Sequence, residues 1–168
     1  MKKVVIAGSP ASGKTTLAHK IKDMFGIPIY YLDKIFWTEP KGISQEEFLN
    51  EQIKIINQDA WLLDGGFVRS QSFDIRLQNA DTIIIFDLPK PLIIWRLLKR
   101  YFQFLGKKRP DMPERHNENL SIVWHVIKYV FNYPKGVMYE KLEKFRDGKQ
   151  VFVIKNREDE KNIMNLLK

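Results

Sequence analysis

Cysteine is absent from the 168-residue chain, so neither a disulfide scaffold nor a thiolate zinc or iron–sulfur centre can be built from it. Any metal it holds is expected to have oxygen ligands. Long apolar runs are missing too: Thr82 to Phe86 and Leu92 to Trp95 fall far short of the ~20 residues that cross a bilayer. Met1-Lys2-Lys3 before Val4-Val5-Ile6-Ala7 has the charge order of a secretory leader, but its apolar stretch is shorter than the ~7–15 residues such a leader needs. No membrane partner and a cytoplasmic location are therefore expected. Repeats, low-complexity tracts and linkers are absent, and 44% apolar with 29% charged residues excludes a disordered or collagen-like chain. One domain over residues 1–168 is the expectation.

Acidic residues are scarce beside basic ones, 20 against 28, for a net charge of +8. Such a surface attracts polyanions or phosphorylated small molecules. The excess is concentrated: Arg96, Lys99, Arg100, Lys107, Lys108, Arg109 and Arg115 face only Asp111 and Glu114 in one segment, which holds five of the eight net charges.

Hydrophobic period and breakers predict strands over Lys3 to Ala7, Pro28 to Leu32, Trp61 to Asp64, Thr82 to Phe86 and Val151 to Ile154. Helices are predicted over Lys14 to Phe25, from the capping box Ser44-Gln45-Glu46-Glu47 with Phe48, Leu49, Ile53 and Ile56 on one face, and over Pro91 to Leu105. Further helices run over Glu118 to Phe131, over Lys135 to Phe145 after Pro134, and over Glu158 to Leu167, with a basic loop from Gly106 to Pro113. Apolar strands without alternation, separated by helices, predict an α/β fold with a parallel sheet covered on both faces.

Gly8-Ser9-Pro10-Ala11-Ser12-Gly13-Lys14-Thr15 fits G-x-x-x-x-G-K-S/T between a strand and a helix, the P-loop arrangement. Glycines let the backbone turn with its amides inward, and the helix start adds positive potential. Lys14 brings a point charge to β- and γ-phosphates, and Thr15 offers a hydroxyl to Mg²⁺. The expected nucleotide contacts are Gly8 to Thr16, with ATP and Mg²⁺ as the cofactors. A second anionic group must hold the metal, directly or through water. Asp64 and Asp87, each closing an apolar strand, compete for that task, with Asp64 first because two glycines follow it.

The P-loop near the N-terminus, Trp61-Leu62-Leu63-Asp64-Gly65-Gly66 and Arg96-Leu97-Leu98-Lys99-Arg100 resemble the nucleoside monophosphate kinase group that includes adenylate, shikimate and gluconate kinases. Gly8-Ser9-Pro10, Tyr31-Leu32-Asp33-Lys34-Ile35-Phe36-Trp37, Asp87-Leu88-Pro89 and Arg109-Pro110-Asp111-Met112 are similar to the bacterial DNA topology modulation (FlaR-related) proteins. The resemblance implies a three-layer P-loop NTPase fold with a five-stranded parallel sheet of order 2-3-1-4-5. It also implies a helical lid inserted at about residues 100–117 and ATP phosphates in the P-loop. The adenylate kinase pattern Asp-Gly-x-Pro-Arg is replaced by Asp64-Gly65-Gly66-Phe67-Val68-Arg69, which lacks the proline and sets Arg69 one residue farther out.

Arg96 and Arg100 fall on one helix face, like a lid arginine pair, able to stack on adenine or grip phosphate. Lys107, Lys108 and Arg109 read as solvated lid charges. Asp33 is expected to end the second strand, beside the P-loop strand, where it can take a proton from an acceptor hydroxyl or merely cap the strand. Phe36 and Trp37 form an aromatic pair that can stack on an acceptor or pack in the core. Arg69 and Arg76 are candidates for its anionic group, with a salt-bridge role as the alternative. Lys155-Asn156-Arg157 occupies the place where related kinases wrap adenine. His19, His116 and His125 have no metal spacing, and Trp124, Tyr129, Phe131 and Tyr133 read as a packing face without chemistry.

Three function classes follow. One is an ATP-dependent phosphotransferase acting on a small hydroxyl- or phosphate-bearing acceptor. Another is a nucleotide-dependent nucleic-acid binder or polynucleotide kinase, in which the Arg96 to Arg115 segment tracks a phosphate backbone. The third is a nucleotide sensor that binds ATP without transferring its phosphate.

Overall fold

The first strand, β1 (Lys3–Gly8), is a β-branched run buried from its second residue on, and it draws the other strands around itself. In the computed structural model, which describes residues 1–104 and 120–167, β1 pairs in parallel with β3 (Trp61–Asp64) on one side and β4 (Thr82–Phe86) on the other. The short β2 (Ile29–Tyr31) and the closing β5 (Gln150–Ile154) are the edges. The order is β2-β3-β1-β4-β5, as the family resemblance implies. The lid expected at about residues 100–117, with Lys107, Lys108 and Arg109, lies almost wholly outside the described residues, as does His116.

Alternate strand residues point to opposite faces, and each face meets its own helices. Val5, Ala7, Leu63, Ile83 and Ile85 pack with Phe48, Phe73, Met138 and Leu142 of α3 (Gln45–Ile56), α4 (Gln71–Asn79) and α7 (Lys135–Phe145). Val4, Ile6, Leu62, Ile84 and Phe86 pack with Leu17, Ile21, Ile93, Val130 and Ile163. Those come from α1 (Lys14–Phe25), α5 (Lys90–Phe104), α6 (Leu120–Phe131) and α8 (Arg157–Leu166). Each such side chain fully buried contributes ~1.5–3 kcal/mol. That exceeds the few tenths of a kcal/mol per residue by which helix propensities differ, so packing decides where helices form.

Several expectations are corrected. Asp33 does not end β2; it sits in the first turn of a short helix, α2 (Leu32–Phe36), and β3 separates β2 from the P-loop strand. Gln71 to Asn79 is a helix that the sequence reading does not contain. The Ser44–Glu47 capping box forms, but the buried face of α3 is Phe48, Gln52, Ile55 and Ile56, with Ile53 turned to solvent. Trp124, Tyr129 and Phe131 are exposed, and Val123 and Val130 provide the packing face of α6.

Candidate active site

The loop between β1 and α1 is shaped by backbone positions that a side chain would break. Gly8 has φ +142°, and a Cβ there would lie 2.5 Å from the carbonyl oxygen of Phe86 on the neighbouring strand. Ala11 sits in the left-handed region at φ 57°, a conformation that costs a non-glycine residue ~1–2 kcal/mol and is typical of functional turns. Gly13, with φ +105°, caps α1. Lys14 opens that helix and donates from Nζ to the Ser9 carbonyl at 2.8 Å. Its ammonium is thus laid back along the loop.

The cradle so formed contains buried hydroxyls: Ser9 Oγ and Ser12 Oγ have no hydrogen-bond partner among the described residues, and Ser12 is 0% exposed. An unsatisfied buried hydroxyl costs ~1–3 kcal/mol, a cost that an acceptor-rich phosphate relieves. Lys14, the helix start and these donors fit a polyphosphate. Thr16, one residue on, is exposed.

The β1–β3 register sets Asp64 beside Ile6, and this brings its carboxylate under the loop. Thr15 Oγ1 donates to Asp64 Oδ2 at 2.6 Å, and Asp64 is 5% exposed. A hydroxyl and a buried carboxylate next to a phosphate cradle are hard oxygen ligands of the kind Mg²⁺ takes. Asp87, the competing candidate, closes β4 on the other side of β1, but its carboxylate is engaged by α7. Tyr139 Oη donates to it and Lys135 Nζ pairs with it, both at 2.8 Å. Burial and that hydrogen bond push Tyr139 up to about 12. Of the two aspartates, Asp64 is therefore the one in contact with the P-loop.

Arg96 reaches the loop from α5. Its Nη1 donates to the Ser12 carbonyl at 2.7 Å and to Glu160 Oε1 at 3.1 Å, and Nη2 donates to Glu160 Oε2 at 2.7 Å. The absent side chain of Gly13 makes room for this pair: a Cβ would lie 2.8 Å from Glu160 Oε1 and 3.3 Å from Arg96 Nη1. Arg100 lies one turn farther along α5 and is half-buried. Asn156 caps α8 by accepting from the Glu158 and Asp159 amides. The exposed Arg157 lays its guanidinium 5.7 Å from the Trp95 ring centroid, between α8 and α5.

On the far side of β3, Gly65 and Gly66 turn the chain toward α4. Arg76, a candidate for an acceptor's anionic group or for a salt bridge, is completely buried. Its guanidinium donates to the carbonyls of Ser72, Gly65 and Gly66 at 3.3, 3.1 and 2.9 Å and lies 5.0 Å from the Phe73 ring centroid. Burial lowers its pKa to about 9, which leaves it cationic at neutral pH. It holds the glycine turn in place. Phe36 takes the packing alternative: its ring lies edge-on to the fully buried Phe48 at 5.2 Å and tilted against Phe67 at 5.3 Å. Trp37 is half-buried, edge-on to Phe36 at 4.9 Å.

Asp33 and Arg69 are exposed and are brought to a common neighbour absent from the predicted site, Tyr129 of α6. Although this residue is 43% exposed, partial desolvation and the Asp33 charge raise its pKa, while the Arg69 charge opposes them. Tyr133, stacked edge-on to Tyr129 at 5.8 Å, is also raised, mainly by burial, and so keeps its proton. Its hydroxyl lies 3.9 Å from where a Cβ on Gly66 would sit, at the seam between the glycine turn and the P-loop. No spacing in the sequence marks Tyr129, Tyr133 or Glu160, because α6 and α8 reach the strand ends only through the fold. Among the described residues no three His, Asp or Glu side chains form a metal-binding group, and no helix is long and apolar enough to cross a membrane.

No family model matches the sequence, and no curated protein matches it. Solved structures do match, among 170 chains. A shikimate kinase from Acinetobacter baumannii in complex with shikimate superposes with a TM-score of 0.60 at 15% identity, covering 99% of this chain and 93% of its own. The shikimate kinase from Bacteroides thetaiotaomicron gives 0.57 at 13% identity, with 98% and 97% covered. The fold is therefore that of a P-loop kinase over essentially the full length, with helices on both sides of a 2-3-1-4-5 sheet.

Proposed function

We propose that this chain is an ATP-dependent phosphotransferase that carries the γ-phosphoryl group to a small acceptor bearing a hydroxyl or phosphate group. The observation that carries the reading is the Thr15–Asp64 bond beneath a strained loop that ends in Lys14. Gly8 to Thr16 bind the nucleotide phosphates, and Thr15 and Asp64 hold Mg²⁺, which when bound neutralises phosphate charge. Lys14 swings from the Ser9 carbonyl to the phosphates. Arg96 orients the nucleotide, and Arg100 offsets charge on the transferring group.

The acceptor lies between Asp33, Arg69 and Tyr129, with Trp37 at its border and the Arg76-held glycine turn as its floor. Asp33 takes the hydroxyl proton as that oxygen bonds to the γ-phosphorus and the bond from that phosphorus to the β–γ bridging oxygen breaks, releasing ADP, while Arg69 meets an anionic substituent. Within the kinase class, Gly8-Ser9-Pro10 and Asp87-Leu88-Pro89 favour the topology modulation group, acting in the cytoplasm.

The test is incubation with γ-labelled ATP, Mg²⁺ and a pool of nucleosides, nucleotides, sugars and short oligonucleotides. Wild type labels one class of acceptor and Lys14→Ala labels none. A Lys14→Ala protein that transfers as fast as wild type would overturn the assignment.

A further inference from the structure

A guanidinium carries five N–H donors. Arg96 uses three of them on described residues: both hydrogens of Nη1, on Ser12 and Glu160, and one of Nη2, on Glu160. The two left over, on Nε and on the outer side of Nη2, form one edge of the group. That edge is a fork that can hold two oxygens of a phosphate through parallel bonds. Arg96 keeps 19% of its side chain exposed and Glu160 27%, so the pair is not wholly buried.

The partner is itself held. Glu160 lies in the first turn of α8, whose start is fixed by the Asn156 cap and whose Ile163 is buried in the core. The other carboxylate of this turn that makes a local bond, Asp159, accepts from the Lys155 amide at 2.8 Å and so turns back along its own helix. Among the described residues, Glu160 alone of these three acidic residues bonds toward the P-loop, through Arg96. Gly13 completes the arrangement by leaving the space into which the pair fits.

We propose that Glu160 is a positioning residue for nucleotide binding, fixing Arg96 against the Ser12 carbonyl so that its remaining fork faces the nucleotide. This rests on the phosphotransferase reading above, in which Arg96 contacts nucleotide. Without Glu160, a long side chain with many rotamers must be ordered by the ligand itself. The alternative is that the carboxylate competes with the nucleotide for Arg96, and the two predict opposite changes on its removal.

The experiment is a fluorescence titration of the full chain with the analogue mant-ADP in Mg²⁺, on wild type, Glu160→Gln, Arg96→Lys and the double variant. Glu160→Gln is expected to weaken binding about tenfold in the wild-type background, as befits loss of one charge-assisted contact. In the Arg96→Lys background the same change has less than about a twofold effect, because the residue acts through Arg96. A purely structural role moves the melting temperature but not this non-additivity. Unchanged or tighter binding by Glu160→Gln, or equal losses in both backgrounds, overturns the proposal. If Glu160→Gln does not fold, Glu160→Asp, which keeps the charge on a shorter arm, goes through the same cycle with the same criteria. Wild type that binds no mant-ADP sinks the phosphotransferase reading along with this one; wild type that binds, with Glu160→Gln binding equally, sinks this one alone.

Discussion

Replacing Arg76 by Met separates a structural clamp from a ligand contact. Methionine keeps the side chain's length and apolar stem but removes every donor. The Ser72 carbonyl lies one helical turn before residue 76 and keeps its backbone partner in α4, so the orphans are the Gly65 and Gly66 oxygens. One buried and one part-buried carbonyl, at up to ~1–3 kcal/mol each, set the gross loss, and relief of a buried charge that has no carboxylate bonded to it among the described residues offsets part of it. A net loss of ~2–4 kcal/mol, at ~2–4 °C per kcal/mol for a domain of this size, lowers the melting temperature by about 4–16 °C. Thermal unfolding followed by circular dichroism at neutral pH measures it, with the exposed Lys54→Ala as control. The acceptor KM should rise while nucleotide affinity holds, since the clamp touches the glycine turn and not the P-loop. An Arg76→Met protein that melts within about 1 °C of wild type would refute the clamp, because an arginine kept for ligand alone can be lost without cost to the fold.

Asp64→Asn keeps an oxygen for the Thr15 hydroxyl but removes the charge, so the strengthening of nucleotide binding by Mg²⁺ should collapse. Calorimetric titrations with and without the metal decide it, and an unchanged ratio of affinities counts against Asp64. Asp81 gives a pH prediction. Burial raises its pKa, but hydrogen bonds from the Thr82 hydroxyl and the Lys2 and Lys3 amides outweigh burial and hold it below the ordinary 3.8. A carboxyl lowered in the folded state stabilises above its unfolded pKa, and that contribution disappears as pH falls through the folded value. The gap in melting temperature between wild type and Asp81→Asn should therefore be open at neutral pH and close below about 3.8. A gap that stays constant across that range contradicts it.

The sheet was legible because its strands are continuous apolar runs, and a strand buried on both faces has no other composition open to it. The P-loop was legible because its chemistry fixes residue types at fixed spacing. α4 was not, since Gln71, Ser72, Asp74, Gln78 and Asn79 dilute its apolar signal and its apolar contacts with the core come from Phe73, Leu77 and the partly buried Ile75. In the sequence Arg76 read either as an acceptor contact or as a salt-bridge partner. Only the tertiary fold shows three carbonyls converging on it. In α3 the buried Gln52 donates to its own helix's Phe48 carbonyl, which lets a polar residue occupy a face that hydrophobicity alone assigns to Ile53. Among the site residues, Asp64 followed from strand logic, whereas Glu160, far along the chain from its partner, carried no local sign of its task.

The two halves of the site hang from strands of unequal permanence. β1 is laddered on both flanks and fully enclosed over Val4 to Ala7, so its amides exchange with solvent only when the whole domain opens. Asp33 follows β2, a rim of three half-covered residues bonded on one flank, which can fray on its own. On the phosphotransferase reading proposed above, mutational drift can thus remodel the acceptor side while the phosphate-donor side stays intact.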